Sequence, residues 1–279
     1  MAEDNTGLEQ GTKPEPTRIS RRSLLKGIAG VGLGLVIGQV PESPSIEKKI
    51  ESRFGVLLTS SKDAPTSNHT TLTDWNHTQM EVLKGILENL PANFYKPIVA
   101  EDGTKVPLKL ALIKGPEALV SRCLCDIEAA KTSKKNPTVE LNKDYYKVQE
   151  VDDRRLFKSM IVHELVHYTF QAQSQSPYEL GDRISSQIGI TSERELPEIF
   201  DSQNFEPKFD DRNFLRYAGF NFSEFFAVAG QFYVEGETKF LGLYAPILGE
   251  DKAKALYQVM KTEVFQNHEY KNFILQKRP

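Results

Sequence analysis

The chain has 279 residues, 39% hydrophobic and 26% charged, with a formal net charge of −3. That composition suits a soluble globular protein with one core, or one core split into two lobes. The slight negative charge, with no basic block beyond the N-terminal arginines, argues against nucleic acid or an anionic membrane as a partner.

The N-terminus reads as an address. Residues 1–19 are polar, with Pro14 and Pro16, and Ser20-Arg21-Arg22-Ser23-Leu24-Leu25-Lys26 follows. A glycine-rich apolar run then extends from Gly27 to Val40. About 20 apolar residues are needed to span a bilayer, so this run is short for a membrane helix and fits a signal-peptide h-region. The arginine pair resembles a twin-arginine (Tat) signal, with Leu24 where that pattern prefers Phe. The expectation is export through the Tat pathway, by transient contact with the translocon, to a secreted or cell-envelope location. No A-x-A box precedes the Pro41-Glu42-Ser43-Pro44 break, so no cut is marked, and an uncut signal would tether the protein.

Residues 41–50 read as a Pro/Ser/Lys-rich linker and Phe54–Thr59 as a short strand. A turn-like stretch follows to Thr73, and Asp74 is the expected N-cap of a helix over 75–89 that Pro91 stops. Asp102-Gly103-Thr104 between two extended runs, 98–101 and 105–113, predicts a hairpin. Residues 119–129 suggest another strand, and Thr138–Asn142 alternates as a short one. An extended peptide could lie along that last strand if it is an edge. The only cysteines, Cys123 and Cys125, stand at i and i+2, where a disulfide is strained. They are expected to be small, partly buried residues without a bond between them.

The next helix, Arg154 to Gln173, carries His163-Glu164-Leu165-Val166-His167, an H-E-x-x-H motif. Histidines at i and i+4 project from one helix face about a turn apart. So placed, they can hold one metal ion, and the glutamate between them can reach a water bound to it. A catalytic zinc site uses three protein ligands and leaves a position for water, whose pKa the metal lowers to about 7. A carboxylate beside it takes the proton as the water attacks a carbonyl. His163 and His167 are therefore candidate Zn2+ ligands and Glu164 the candidate general base.

The third ligand does not follow on the same helix. Phe170 and Gln173 stand where the metzincin continuation needs Gly and His. His69, His77 and His268 sit in settings that read as surface. After a polar stretch over 178–212, Asn221 to Val234 predicts a strong helix, ended by Gly236. Glu224, near its start, has two readings. It is a ligand in a two-histidine-one-glutamate (gluzincin) site, or it is the capping-box partner of Asn221. Residues 237–249 read as a loop and about 250–265 as a last helix.

The stretch from Tyr217 to Phe232, with Glu-Phe-Phe-Ala starting seven positions after Tyr217, resembles the catalytic domain of anthrax lethal factor and its relatives, the secreted Pro-Pro endopeptidases. The resemblance implies zinc ligands His163, His167 and Glu224, the base Glu164, and a catalytic tyrosine at Tyr217 whose hydroxyl donates to the oxyanion. It covers roughly residues 75–265 and is strong only around the two helices. Val228 stands at the Asp position of the thermolysin-like Glu-x-x-x-Asp, which speaks against a thermolysin cousin. The combined expectation is an α+β, zincin-like metallopeptidase with a small N-terminal sheet, a helix and a mostly helical C-terminal lobe. Residues 1–44 would be signal and linker, and 45–279 the peptidase domain. It would act as a monomer on a peptide or protein substrate. Two alternatives stay open: a zinc-binding domain without activity, and an envelope-associated interaction protein.

Overall fold

The computed structural model describes residues 44–63, 71–115, 121–125, 131–132, 135–145, 151–172, 187–204 and 210–270, with isolated positions 179, 181 and 183. All belong to the unit Pro44–Pro279. The signal segment therefore lies outside the described residues, as do Asn68, Tyr146, Gln173 and most of the 174–186 stretch.

The expected linker gives way to a helix, α1, Ile46–Phe54. Its apolar residues are sparse but spaced i, i+4, i+8 (Ile46, Ile50, Phe54). The Ser45 hydroxyl accepts from Lys48 N–H at the start, and Gly55 closes the end at φ +68°. The next helix, α2, spans His77–Asn89 and is capped by Asn76 with Gln79 in a reciprocal capping box. Asp74, the expected cap, is used elsewhere: its carboxylate accepts from the backbone and hydroxyl of Ser61.

The strands are β1 Leu57–Leu58, β2 Thr71–Thr73, β3 Ile98–Val99, β4 Lys105–Val106, β5 Lys109–Lys114, β6 Ser121–Leu124 and β7 Thr138–Asn142. β3 and β4 form the expected hairpin, with Gly103 at φ +82°. The expected strand over 105–113 divides at Pro107, which has no N–H to give a ladder. Its second part, β5, joins the main sheet, whose order is β1-β5-β7-β6. β1 runs parallel to the first residues of β5, and β2 runs antiparallel to the last. β7 runs parallel to β5, from Lys109↔Thr138 to Ile113↔Asn142, and β6 is antiparallel to β7. Thr138–Asn142 is thus interior and does not meet the condition for receiving a peptide along its edge. All five of its residues are buried, and the buried Glu140 is paired with its cross-strand neighbour Arg122 at 2.6 Å. Among the described residues the edge strand on this side is β6.

Cys123 and Cys125 are joined in a disulfide, contrary to the sequence expectation. The chain bends at the end of β6 and draws their Cα atoms to 5.3 Å, within the range a disulfide accepts. An i, i+2 pair on a straight strand would lie farther apart.

Beyond the sheet the chain is helical. The motif helix α3 is Val151–Ala172, α4 is Leu196–Ile199, α5 is Asp211–Tyr217 and α6 is Phe222–Tyr233. Residues 237–249, expected as loop, are mostly a helix, α7, Glu237–Leu248, with Pro246 inside it. α8, Glu250–Val259, runs into a π-turn at Met260–Val264. One core joins the sheet face carrying Leu110, Leu112, Val139 and Leu141 to α3, α6 and the C-terminal turn. The opposite sheet face buries Leu72, Ala111 and Ile113 separately.

Candidate metal centre

From Ser159 to Phe170 every residue of α3 is buried. A helix enclosed on all sides is expected to be apolar on all sides, and Ile161, Val162, Leu165, Val166, Tyr168 and Phe170 comply. His163, Glu164 and His167 do not, at 3%, 4% and 9% exposure. Ionisable side chains this deep need partners or a bound cation.

The partners of the two histidines come from the helix that α3 packs against. The side chain of Asn221 caps α6 by accepting from Glu224 N–H at 2.8 Å. The cap uses only the backbone of Glu224, so its carboxylate is free to turn toward α3. Both readings of the sequence thus meet in one residue, with the capping done by Asn221. Glu224 Oε2 lies 3.1 Å from His163 Nε2 and 3.3 Å from His167 Nε2, and the two Nε2 atoms are 3.2 Å apart. Among the described residues, His163, His167 and Glu224 form the metal-competent group.

This triangle has the dimensions of three corners of a coordination tetrahedron. Zinc–ligand bonds of 2.0–2.1 Å at tetrahedral angles separate neighbouring ligand atoms by about 3.3 Å. Two imidazole nitrogens and a carboxylate oxygen are all acceptors unless protonated, so their convergence requires a proton or a cation among them. Two imidazoles and one carboxylate are also a donor set that zinc accepts. The residues present therefore fit the ion.

The electrostatics agree. Burial works to raise the Glu224 carboxyl, but the hydrogen bonds and charges of His163 and His167 hold it far below the usual carboxylate range. Burial likewise works to lower the His167 imidazole, and the Glu224 hydrogen bond and the charges of Glu224 and Glu164 turn the net shift upward. With Nε2 turned to the centre, His167 Nδ1–H donates to Ser223 Oγ at 2.9 Å, an outer contact that fixes the ring. Nδ1 of His163 is buried with no partner among the described residues.

Glu164, one residue past His163 on α3, is met by the sheet. Its Oε1 accepts a hydrogen bond from Ser121 Oγ on β6 at 2.7 Å. The site is thus flanked by the sheet edge and by α6. Tyr217, at the end of α5, places its ring 5.9 Å from that of His163, centroid to centroid, and packs edge-on against Phe220. Burial, reinforced by the nearby Glu224 and Glu164 charges, pushes its hydroxyl well above the ordinary tyrosine range. It stays protonated and able to donate near neutrality.

The structure therefore brings together the five residues singled out in the sequence. His77 and His268 are exposed and belong to no such group, and His69 lies outside the described residues. Phe170 packs against Phe226 in the core, 5.6 Å between ring centroids. Sequence reasoning missed Ser121 and Ser223. Ser223 adjoins the candidate ligand in sequence and could have been noticed. Ser121 is 43 residues from Glu164, and only strand register brings it there.

No protein-family model matches the chain, and no curated protein matches it. Among solved structures, one from Bacteroides caccae, described as a proposed zinc-binding metallo-peptidase, aligns over 84% of this chain and 91% of its own. The identity is 15% and the TM-score 0.39.

Proposed function

We propose that the chain is an exported zinc-dependent endopeptidase of the gluzincin type, hydrolysing peptide bonds with Glu164 as general base. The observation that carries this is the 3.1–3.3 Å triangle of His163, His167 and Glu224 donor atoms, with Glu164 beside it on the same helix. A zinc ion held there supplies Lewis acidity, lowering the pKa of water to about 7 and polarising a carbonyl.

The chain's own residues do the rest. Ser121 occupies one oxygen of Glu164, and the other takes a proton from the attacking water and passes it to the leaving amine. Tyr217, held protonated, donates to the oxygen on which negative charge develops. Among the described residues β6 ends the sheet, and its outer edge offers backbone groups along which an extended peptide can lie. The resemblance to lethal factor and the Pro-Pro endopeptidases supports the same roles, and Arg21-Arg22 before the Gly27–Val40 run supports Tat export. Among the described residues no helix is long and apolar enough to cross a membrane.

Protein purified without chelator should carry about one zinc per chain. Glu164→Gln should keep the zinc and lose cleavage of a peptide library by at least about 100-fold, the scale of general-base removal. Glu224→Ala should lose zinc. Glu164→Gln cleaving at the wild-type rate would remove the base assignment, and unchanged zinc in Glu224→Ala would return that residue to a role in the helix start.

A further inference from the structure

Ser121 opens the edge strand, and the register fixes which way it points. Ser121 and Cys123 pair with Leu141 and Val139, whose side chains belong to the core against α3. Arg122 pairs with Glu140 and makes its ion pair there. Alternation along a strand puts Arg122 on one face and Ser121 and Cys123 on the other. The Ser121 hydroxyl thus meets α3 one residue past His163 and donates to Glu164 Oε1 at 2.7 Å.

A glutamate on a helix has three rotatable side-chain bonds, and van der Waals contact alone does not select one orientation of its carboxylate. A hydrogen bond to one oxygen favours one, because it draws that oxygen toward β6 and leaves the second turned away from Ser121 and fully able to accept. Glu164 has little room to find another donor: it is 4% exposed and lies on a helix whose neighbours Ile161 and Leu165 are fully buried.

We propose that Ser121 is a positioning residue for Glu164: it holds one carboxylate oxygen so that the other stays turned to the reacting water. The proposal rests on the assignment of Glu164 as the base. It places the edge strand in two roles at once, since β6 would both receive the extended peptide and orient the base. Local distortion of that strand would then reach turnover directly.

The test uses the full zinc-loaded protein and the peptide that the wild type cuts fastest from a random library. Ser121→Ala should lower kcat by about 10–100-fold, the usual effect of removing an outer hydrogen-bond partner, with KM and zinc content unchanged. Ser121→Thr, which keeps the hydroxyl, should recover most of kcat. A readout independent of turnover is the infrared carboxylate stretch of Glu164 in the zinc-free protein, assigned by its loss in Glu164→Gln. It should shift in Ser121→Ala and return in Ser121→Thr. Wild-type kcat in Ser121→Ala overturns the proposal. Equal losses in the alanine and threonine variants also overturn it, since shape and not the hydroxyl would then matter. A raised KM at constant kcat would make Ser121 a substrate contact instead. Glu164→Gln in the same assay separates the two claims: if it cleaves normally, the base assignment fails whatever Ser121 does.

Discussion

At the scale of residues, the centre is a set of acceptors held together by either protons or a metal, and pH distinguishes the two. In the zinc-free protein the His167 imidazole is raised above its unfolded value of about 6.5. Its contribution to stability is fully present below that value and is lost as pH rises through the higher folded one. Glu224 is depressed, so its contribution is present above about 4.3 and is lost as pH falls toward its folded value. The zinc-free chain should therefore be most stable between about pH 4.5 and 6.5 and should weaken as pH rises above about 6.5. Zinc reverses that trend, because protons compete with it for the same nitrogens. Melting curves of the stripped and loaded protein at pH 6 and pH 8 check this. Tm should fall by a few degrees in the stripped protein and hold or rise in the loaded one. Parallel trends would mean that the ion binds elsewhere.

At the scale of elements, the site depends on how closely α6 approaches α3. Gly230 sits at the closest point: a Cβ there would stand 2.5 Å from Val166 Cγ2. Val166 is fully buried and, being β-branched on a helix, has almost no other rotamer to adopt. Gly230→Ala must push the two helices apart. Overpacking of this kind costs about 1–3 kcal/mol, and because Glu224 rides on α6 it should also lower zinc retention. Gly242→Ala is the control, since that position is exposed and a Cβ there meets nothing. It should be neutral or slightly stabilising, as alanine favours a helix over glycine by up to about 1 kcal/mol. Reduced Tm with full zinc retention in Gly230→Ala would show that the centre tolerates the displacement.

The same elements show what the sequence could and could not disclose. α3 and α6 were legible because their apolar spacing is dense and their polar exceptions, His163, Glu164, His167 and Glu224, are chemically distinctive. β7 was legible as a strand, yet its place in the sheet was not. Alternation in Thr138–Asn142 reports the two faces of a strand and says nothing about its two edges, so it does not disclose that Glu140 is buried and paired with Arg122 on the neighbouring strand. α1 was hidden by sparse apolar residues among charges, and α7 by Pro246 and flanking glycines. α5, which delivers Tyr217, is only two turns long and starts from an Asp210 cap in a polar stretch. The Cys123–Cys125 bond depends on a local bend that residue spacing does not reveal.

At the scale of the whole molecule, the question is whether the ion builds the fold or is received by it. A small metal-dependent domain is unfolded without its ion because it has no other core. Here the core is continuous from Ile50 in α1 to Tyr270 near the C-terminus. Phe94, in the N-terminal half, packs on Phe265 at 4.8 Å between centroids, and Tyr233 stacks on Phe265 at 4.4 Å. The Arg155 guanidinium binds Asp211 and Glu235, joining the start of α3 to the start of α5 and to the end of α6, two turns from the metal-binding side chains. These contacts do not pass through the centre. Removal of zinc with a chelator should therefore leave a cooperatively folded protein with native far-ultraviolet circular dichroism and a lower Tm. At a zinc concentration of about 1,000 times Kd, binding adds about 4 kcal/mol. For a chain of this size that corresponds to about 8–16 °C in Tm, restored on adding zinc back. Such behaviour belongs to a preformed catalytic site. Loss of the cooperative transition on chelation would instead make the ion structural and favour a zinc-binding domain without activity, in which Glu164→Gln would have no cleavage to abolish.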